Sequence, residues 1–215
     1  MLVILDWDGT LADSRQTIVD AMQAAANDLG EQVPAEGAVA ALIGLGLPET
    51  VETLFPGLSG ERRAVIQQAY SRNFIARNSK PGSTKFFPGV IETLDELAAR
   101  GHALAVATGK SRKGLNRVLG NEGLEHRFLA TRAADETRSK PHPLMLEELL
   151  EETGFAVGDA VMVGDTSYDM EMACAIDMPR IAVSYGVHKA EALREYDPLA
   201  IIDSIARLLQ QSRLG

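Results

Sequence analysis

The sequence contains very little cysteine, no long hydrophobic run and no basic leader. Its single cysteine, Cys174, excludes an internal disulfide and a zinc site built on cysteines. No apolar run approaches the ~20 residues that a helix needs to cross a bilayer. The chain enters an apolar segment directly, without the basic region and cleavage site of a secretory signal. We therefore expect a cytoplasmic protein.

Positive charge is also scarce, because the sequence has 21 lysine and arginine residues but 30 aspartate and glutamate residues. The resulting formal net charge of -9 argues against nucleic acid and membranes as partners. An anionic ligand would have to be held by a local group of cations, not by the overall field of the protein. A chain of 215 residues can bury one good core, with room for a small second lobe.

The most informative segment is residues 3–14, near the N-terminus. The apolar run 3–5 is typical of a buried parallel strand, and Asp6 and Asp8 follow it. Because side chains alternate along a strand, both carboxylates are expected on the same side. Ligands of open α/β sheets bind at the carboxyl ends of strands, so these two acids could serve one reacting atom. The alternative is a turn at the end of a strand with two solvated acids.

Three later segments repeat the pattern of a polar side chain in a loop after an apolar run or before a helix. One apolar run leads into Thr108, and a second leads into Asp165, with Asp169 four residues later. Between them, Lys140 lies in a loop before a helical pattern. Each segment is weak evidence alone, but the four together, in this order, are very unlikely to arise by chance.

In this order the four segments resemble the four motifs of the haloacid dehalogenase-like hydrolases, most of which are magnesium-dependent phosphatases. The match extends from Leu2 to about Leu209. It is most similar to the phosphoglycolate phosphatase-like branch, which carries a small helical cap between the first and second motifs. The resemblance implies a phosphoric monoester hydrolase that acts on a small phosphorylated metabolite.

The resemblance also implies roles for the four acids. Asp6 is the expected nucleophile, which forms an aspartyl-phosphate. Asp8 is the expected general acid for the leaving alcohol and then the general base for water. Mg²⁺ is the expected cofactor, with Asp6, the backbone carbonyl of Asp8 and Asp165 as ligands. Asp169 is expected to bind a metal-bound water or to support the site from behind. A simpler alternative for Asp169 is an acid favoured by a helix N-terminus.

The expected phosphate contacts come from the second and third motifs. The Thr108 hydroxyl, a backbone N–H near Gly109 and the Lys140 ammonium would bind phosphoryl oxygens. Relatives often have asparagine where this chain has Gly109, and Lys110 and Arg112 follow it here. These two cations are expected either to bind the substrate, Lys110 as part of the substrate site, or to form a solvated helix start.

The predicted fold class is α/β, a doubly wound, Rossmann-like parallel sheet with an inserted all-helical cap domain. Apolar strands alternate with helical patterns in the second half of the chain, which indicates a parallel sheet covered on both faces. The first strand, at 2–6, is expected at the centre. Further strands are predicted near 103–107, 127–130, 160–163, 180–183 and 199–202, and helices near 112–121, 142–153, 168–175 and 203–212.

The segment 15–82 differs because it contains no convincing strand. Its apolar residues follow helical spacing, and its longest predicted helix runs from Glu61 to about Ser79. We interpret 15–82 as a helical cap, and 1–14 with 83–215 as the catalytic core. Within the cap, the loop Gly44–Pro48 resembles a cap loop that reaches the substrate. The alternative is a set of extra helices packed immovably on the core.

Three functions remain open from the sequence. A phosphatase is the leading hypothesis. A sugar-phosphate mutase, similar to β-phosphoglucomutase, would use the same nucleophile but return the phosphoryl group to a sugar. A non-catalytic binding module is less consistent with a complete set of motif residues. A dehalogenase is disfavoured because dehalogenases of this superfamily lack the second acid of the first motif, which is Asp8 here.

Overall fold

The computed structural model describes residues 1–78 and 80–214. It contains a six-stranded, entirely parallel sheet in the order β3-β2-β1-β4-β5-β6. The first strand therefore lies at the centre, as the sequence predicts. The strands are β1 Leu2–Leu5, β2 Ala103–Thr108, β3 Ala130–Ala133, β4 Ala160–Gly164, β5 Arg180–Val183 and β6 Ala200–Ile202.

Both faces of the sheet are buried, which explains why its strands are continuously apolar. Along β1, Val3 and Leu5 pack into one hydrophobic cluster, and Leu2 and Ile4 pack into another on the opposite face. Truncation of such fully buried side chains typically costs about 2–5 kcal/mol. The two clusters therefore fix the central strand firmly between two layers of helices, and the predicted fold class is confirmed.

Helices cover the two faces in turn. One face carries α5 (Val90–Ala99) and α6 (Arg112–Glu122) with the C-terminal 3₁₀ helix. The other face carries α7 (Leu144–Thr153) and α8 (Ser167–Cys174). None of the helices in the described part of the chain is long and apolar enough to cross a membrane. The helices of this part are α5 Val90–Ala99, α6 Arg112–Glu122, α7 Leu144–Thr153, α8 Ser167–Cys174 and α9 Ala190–Arg194, with a 3₁₀ helix at Ile205–Gln210.

The observed elements differ from the sequence prediction in four places, one of which is the short helix α9 at Ala190–Arg194, which was not predicted. The third strand is Ala130–Ala133, not 127–130, because a 3₁₀ turn over Glu125–Arg127 delays it. Helix α5 was not predicted, although Val90, Leu94 and Leu97 are buried at helical spacing. The C-terminal helical segment is a 3₁₀ helix that is shorter than the predicted range 203–212.

Four helices between β1 and α5 form their own hydrophobic cluster, which includes Val19, Met22 and Val51. We call them the cap helices: α1 Arg15–Asp28, α2 Glu36–Ala40, α3 Leu47–Leu54 and α4 Gly60–Arg77. All four were predicted, but the predicted end of the longest helix, Ser79, lies outside the described residues, as does the last residue of the predicted core, Gly215. The division into a cap at 15–82 and a core stays a prediction.

Strand register brings the first and fourth motifs together. Leu5 lies beside Val106 of β2 and Val163 of β4, and the Asp6 N–H donates to the Val163 carbonyl over 3.0 Å. Since all the strands are parallel, their carboxyl ends meet at one edge of the sheet. The side chains that follow β1, β2 and β4 are thus placed around one point.

Candidate active site

A buried lysine forms the centre of the site. The Lys140 ammonium lies 2.7 Å from Oδ1 of Asp6 and 2.6 Å from Oδ1 of Asp169, and its side chain is 0% exposed. Burial of an ammonium group is costly unless it is paired. Burial alone lowers the pKa of Lys140, but Asp169 and Asp6 together raise it above its ordinary value. Lys140 therefore stays charged and joins the first, third and fourth motifs.

Asp6 presents one free oxygen. Its Oδ1 accepts from Lys140, whereas its buried Oδ2 has no hydrogen-bond partner among residues 1–78 and 80–214. Burial raises the pKa of Asp6 well above its usual range, Lys140 opposes this rise, and Asp169 and Asp165 add to it. A buried carboxylate oxygen without a partner is unusual and calls for a specific role. Oδ2 is thus available to a cation or to an electrophile.

Asp165 is fixed by its neighbours. Its two oxygens accept from the Thr10 hydroxyl at 2.9 Å and from the Val187 N–H at 2.7 Å. A Cβ atom on Gly9 or Gly186 would lie 2.2 Å from an Asp165 side-chain atom, so that only glycine leaves room for this carboxylate. Burial, followed by the charge of Asp169, raises the pKa of Asp165 to about 7.

Asp169 lies at the start of α8 in a capping box. Its Oδ2 accepts from the Thr166 N–H at 3.1 Å and the Thr166 hydroxyl at 2.7 Å, and its own N–H donates to that hydroxyl. Its Oδ1 accepts from Lys140. Both oxygens are therefore engaged, which is consistent with a role in which Asp169 orients Lys140.

The acids of the first and fourth motifs form a cluster that fits a divalent cation. Carboxylate oxygens of Asp6, Asp165 and Asp169 all lie within 4.8 Å of one another, and all three residues are buried. One ammonium, from Lys140, faces these three acids, and Oδ2 of Asp6 has no partner in the described chain. The donors are hard oxygen atoms, which suit Mg²⁺. The site holds more buried negative than positive charge, and the pKa values of Asp6 and Asp165 are raised. A bound cation would lower both pKa values and balance this charge.

Asp8 lies apart from this cluster. Its Oδ1 accepts from the Ser14 hydroxyl at 2.5 Å, and its Oδ2 lies 2.9 Å from the Lys110 ammonium. The same ammonium lies 4.8 Å from the ring centroid of Phe74 in α4, within the range of a cation–π contact. Asp6, Asp8 and Lys110 all line one cavity beneath the cap helices. The Asp8 carboxylate thus faces the cavity and not the other acids.

The cap loop predicted from the sequence lies directly over the second and third motifs. The Gly46 N–H donates to the Ser139 hydroxyl at 2.7 Å. A Cβ atom on Gly109 would lie 2.5 Å from the carbonyl oxygens of both Gly44 and Leu45. This close approach gives a physical reason for glycine at 109, where relatives often carry asparagine.

The other predicted phosphate-binding residues have different surroundings. The Thr108 side chain is buried, and its hydroxyl accepts the Lys110 N–H at 3.2 Å. Lys110 lines the cavity. Arg112 does not, because its guanidinium donates to Thr131 and pairs with Glu136 at 2.5 Å. Of the two alternatives for Arg112, the structure favours a helix start over a substrate contact, because Thr131 and Glu136 already engage the guanidinium.

Residues 3–183 match the model of the haloacid dehalogenase-like hydrolase family. The chain belongs to this family. The probable phosphatase IndB of Dickeya dadantii is 33% identical over 210 residues, which cover 97% of this chain and 91% of IndB. A phosphoglycolate phosphatase of Vibrio cholerae is 29% identical over 97% of this chain and 95% of its own length.

Two further matches are with a curated kinase and with a solved structure, and the second of them bears on the fold. The tyrosine-protein kinase PtkA of Mycobacterium tuberculosis is 32% identical over 88% of this chain, but the match spans only 64% of the kinase. A solved structure of a predicted phosphoglycolate phosphatase from Haemophilus somnus superposes with a TM-score of 0.85 at 24% identity, over 97% of this chain and 96% of that one. This haloacid dehalogenase-like hydrolase is therefore similar to the phosphoglycolate phosphatase-like branch, and the expected enzyme class, a phosphoric monoester hydrolase, is confirmed.

Sequence reasoning missed several residues that support this hydrolase site. Thr10 and Ser14 lie in the first motif, and each holds one of the two key acids by a side-chain hydrogen bond. Thr166 could have been found, because a threonine three residues before an acid is the signature of a capping box. Gly186 gave no signal, because its contact with Asp165 joins two loops distant in the sequence.

Proposed function

We propose that this hydrolase is a Mg²⁺-dependent phosphatase that cleaves a small phosphorylated metabolite through an aspartyl-phosphate on Asp6. The observation that carries the proposal is the free Oδ2 of Asp6. That oxygen is buried, is unpartnered within the described residues, and belongs to a carboxylate whose other oxygen is fixed by Lys140. Asp6 lines the same cavity as Asp8, the expected proton donor.

The first step is a transfer of the phosphoryl group to Asp6. Oδ2 attacks the phosphorus atom, and the bond between phosphorus and the leaving oxygen breaks. Asp8 gives its proton to that oxygen, so that a neutral alcohol departs. The Ser14 hydroxyl, at 2.5 Å, restricts the Asp8 carboxylate to one orientation during the transfer.

The second step releases phosphate. Asp8, now a carboxylate, takes a proton from a water molecule whose oxygen attacks the phosphorus atom. The bond between phosphorus and Oδ2 breaks, and Asp6 is restored as a carboxylate. In both steps Lys140 and Thr108 bind negative charge on the phosphoryl oxygens, with the backbone N–H near Gly109 and, on the substrate side, Lys110.

Asp6, Asp165 and the backbone carbonyl of Asp8 would hold the cation. A bound Mg²⁺ supplies positive charge that reduces the repulsion between an attacking carboxylate and a phosphate dianion. Asp169 acts through Lys140, since its carboxylate holds the ammonium 2.6 Å away. Together these groups would balance the charge of the buried acids and of the bound phosphate.

The cap, proposed at 15–82, would act as a lid. Closure would exclude water while the aspartyl-phosphate forms and would favour substrates small enough to fit beneath it. The hydrogen bond between the cap loop and Ser139 is a contact that closure would form and opening would break, because it joins the cap to the third motif. We expect small phosphate esters to be cleaved much faster than a folded phosphoprotein.

Hydrolysis in ¹⁸O-labelled water tests the proposal and separates it from the mutase. Released inorganic phosphate should carry one labelled oxygen per turnover with Mg²⁺ and should not form in EDTA. Equal rates with and without the metal would contradict the cofactor assignment. Conversion of a hexose 1-phosphate to its 6-phosphate, without stoichiometric release of phosphate, would identify a mutase.

A further inference from the structure

The cavity beneath the cap helices has two contrasting kinds of lining. Asp6, Asp8 and Lys110 line it from the core, where the phosphate of a substrate would bind. The rest of the lining is supplied largely by the cap, and we call this part the cap wall. It consists largely of aliphatic and aromatic side chains, among them Ile18, Met22, Leu42, Leu45, Phe74 and Ile75. None of the described cap residues that line the cavity is charged.

The few polar groups of the cap wall offer little to a polar leaving group. The Thr50 hydroxyl already donates to the Gly46 carbonyl at 2.9 Å, inside helix α3. Ser71 is exposed at the rim of the cavity. Tyr70 adds one phenol hydroxyl, a single hydrogen-bond donor, to the lining of the cavity. A sugar or a hydroxy acid would leave several hydroxyl or carboxylate groups unpaired against this wall.

The cations near the cavity do not change this conclusion. The Lys110 ammonium lies 2.9 Å from Asp8 and contacts the Phe74 ring, so it is placed to bind the phosphate of a substrate and not its alcohol part. Arg117, on α6, lines the cavity from the core side. A single guanidinium opposite an uncharged wall could bind one distant anion, and the experiment below includes that case.

We propose that the natural substrate is a phosphate monoester of an apolar, uncharged alcohol, with its hydrocarbon part packed against the cap wall. This inference rests on the proposed phosphatase function. Burial of a methylene group favours binding by about fourfold, so selectivity should increase with the length of the hydrocarbon until the wall is filled.

A series of alkyl phosphates with similar leaving groups tests the inference. We expect kcat/KM to rise at least tenfold from ethyl phosphate to hexyl phosphate, and hexyl phosphate to exceed 2-phosphoglycolate and glucose 6-phosphate by at least 100-fold. A flat series, or a preference for either polar ester, would overturn it. The ω-carboxylated analogue of hexyl phosphate tests Arg117, because a tenfold preference for it, lost in Arg117→Gln, would show that the alcohol carries a charge.

Substitutions in the cap wall locate the effect. Leu42→Gln and Ile75→Gln should each lower the ratio of kcat/KM for hexyl phosphate to that for ethyl phosphate by at least fivefold. Val65→Gln is the matched control, because Val65 lies on the outer side of α4 and is 37% exposed. An unchanged ratio in both cap-wall variants, with circular dichroism unchanged, would contradict the inference.

Acetyl phosphate separates failure of the inference from failure of the proposed function. It is small and has an activated leaving group, so it needs no contact with the cap wall. Hydrolysis of acetyl phosphate without selectivity among alkyl phosphates would overturn the inference alone. Absence of hydrolysis with every ester and with acetyl phosphate, in the presence of Mg²⁺, would reject both. Binding of hexylphosphonate at least tenfold tighter than ethylphosphonate, measured by calorimetry, is the expected result independent of turnover.

Discussion

The acidic site at the strand ends and the cap wall that faces it differ in how their side chains are held. In the site, Asp165 and Asp169 each accept at least two hydrogen bonds or ion pairs, and glycines leave room for them. In the cap wall, Met22 is held by packing in the hydrophobic cluster of the cap helices, and Phe74 is held by packing and by its contact with the Lys110 ammonium. A site fixed by directional bonds suits chemistry that tolerates little displacement. A wall fixed by packing can change its shape with few substitutions, which suits the selection of a substrate.

Among substitutions in the two regions, Lys140→Met in the acidic site is expected to have the largest effect on stability and activity. It would leave the buried carboxylates of Asp6 and Asp169 without their ammonium, and removal of one partner from a buried pair typically costs about 3–5 kcal/mol. We expect the free energy of unfolding in EDTA at pH 8, measured with urea, to fall by that amount, and phosphatase activity to be lost. Lys113→Met, on the exposed side of α6, is the control. A change below about 1 kcal/mol would show that the ion pairs do not hold the site together.

Gly109→Ala should affect the junction between the two regions. Its new methyl group would lie 2.5 Å from the carbonyl oxygens of Gly44 and Leu45, so the cap loop would have to move away. We expect kcat/KM to fall at least tenfold and the free energy of unfolding to fall by about 1–3 kcal/mol, because two backbone carbonyls must move to make room. Gly57→Ala, where no atom lies within 4 Å of the new group, is the control. Full activity in Gly109→Ala would mean that catalysis does not need this contact.

A smaller effect is expected from pH on the metal-free site. Burial and Asp169 raise the pKa of Asp165 from 3.8 to about 7. The folded state therefore binds a proton on Asp165 more tightly than the unfolded state does. The contribution of Asp165 to the free energy of unfolding decreases as pH rises from about 4 to 7. A cation requires the carboxylate form, so the increase in Tm caused by saturating Mg²⁺ should be larger at pH 8 than at pH 6. Asp165→Asn should reduce this difference, and an equal or larger increase at pH 6 would contradict the assignment.

The acidic site could be predicted from the sequence only in part. Asp6 was predicted because two acids follow a buried strand, whereas Lys140 and Asp165 were predicted because their segments resemble motifs of the haloacid dehalogenase-like hydrolases. The second glycine beside Asp165, Gly186, was missed because no local pattern marks a contact between distant loops. The role of Arg112 stayed open because charge in a motif does not reveal which partner, here Glu136, takes it.

The cap was harder to interpret for a physical reason. Helical spacing predicted α1–α4, since each helix buries one apolar face. The same spacing does not distinguish apolar side chains that fill a core from those that line a cavity. Leu42 and Val51 gave the same signal, yet Leu42 lines the cavity, whereas Val51 is part of the buried cluster of the cap helices. Only the three-dimensional arrangement separates the two groups.

The most direct test of the central claim is acid quenching of the protein during turnover of ³²P-labelled acetyl phosphate with Mg²⁺. In the wild-type protein, label should remain covalently bound, be released by alkali and map to the peptide that contains Asp6. Asp6→Asn should retain no label and release no phosphate, since an amide cannot form the acyl phosphate. The control Asp203→Asn, at an exposed surface acid, should behave as the wild type does. Label retained by Asp6→Asn, or phosphate release within tenfold of the wild-type rate, would contradict the assignment of Asp6 as the nucleophile.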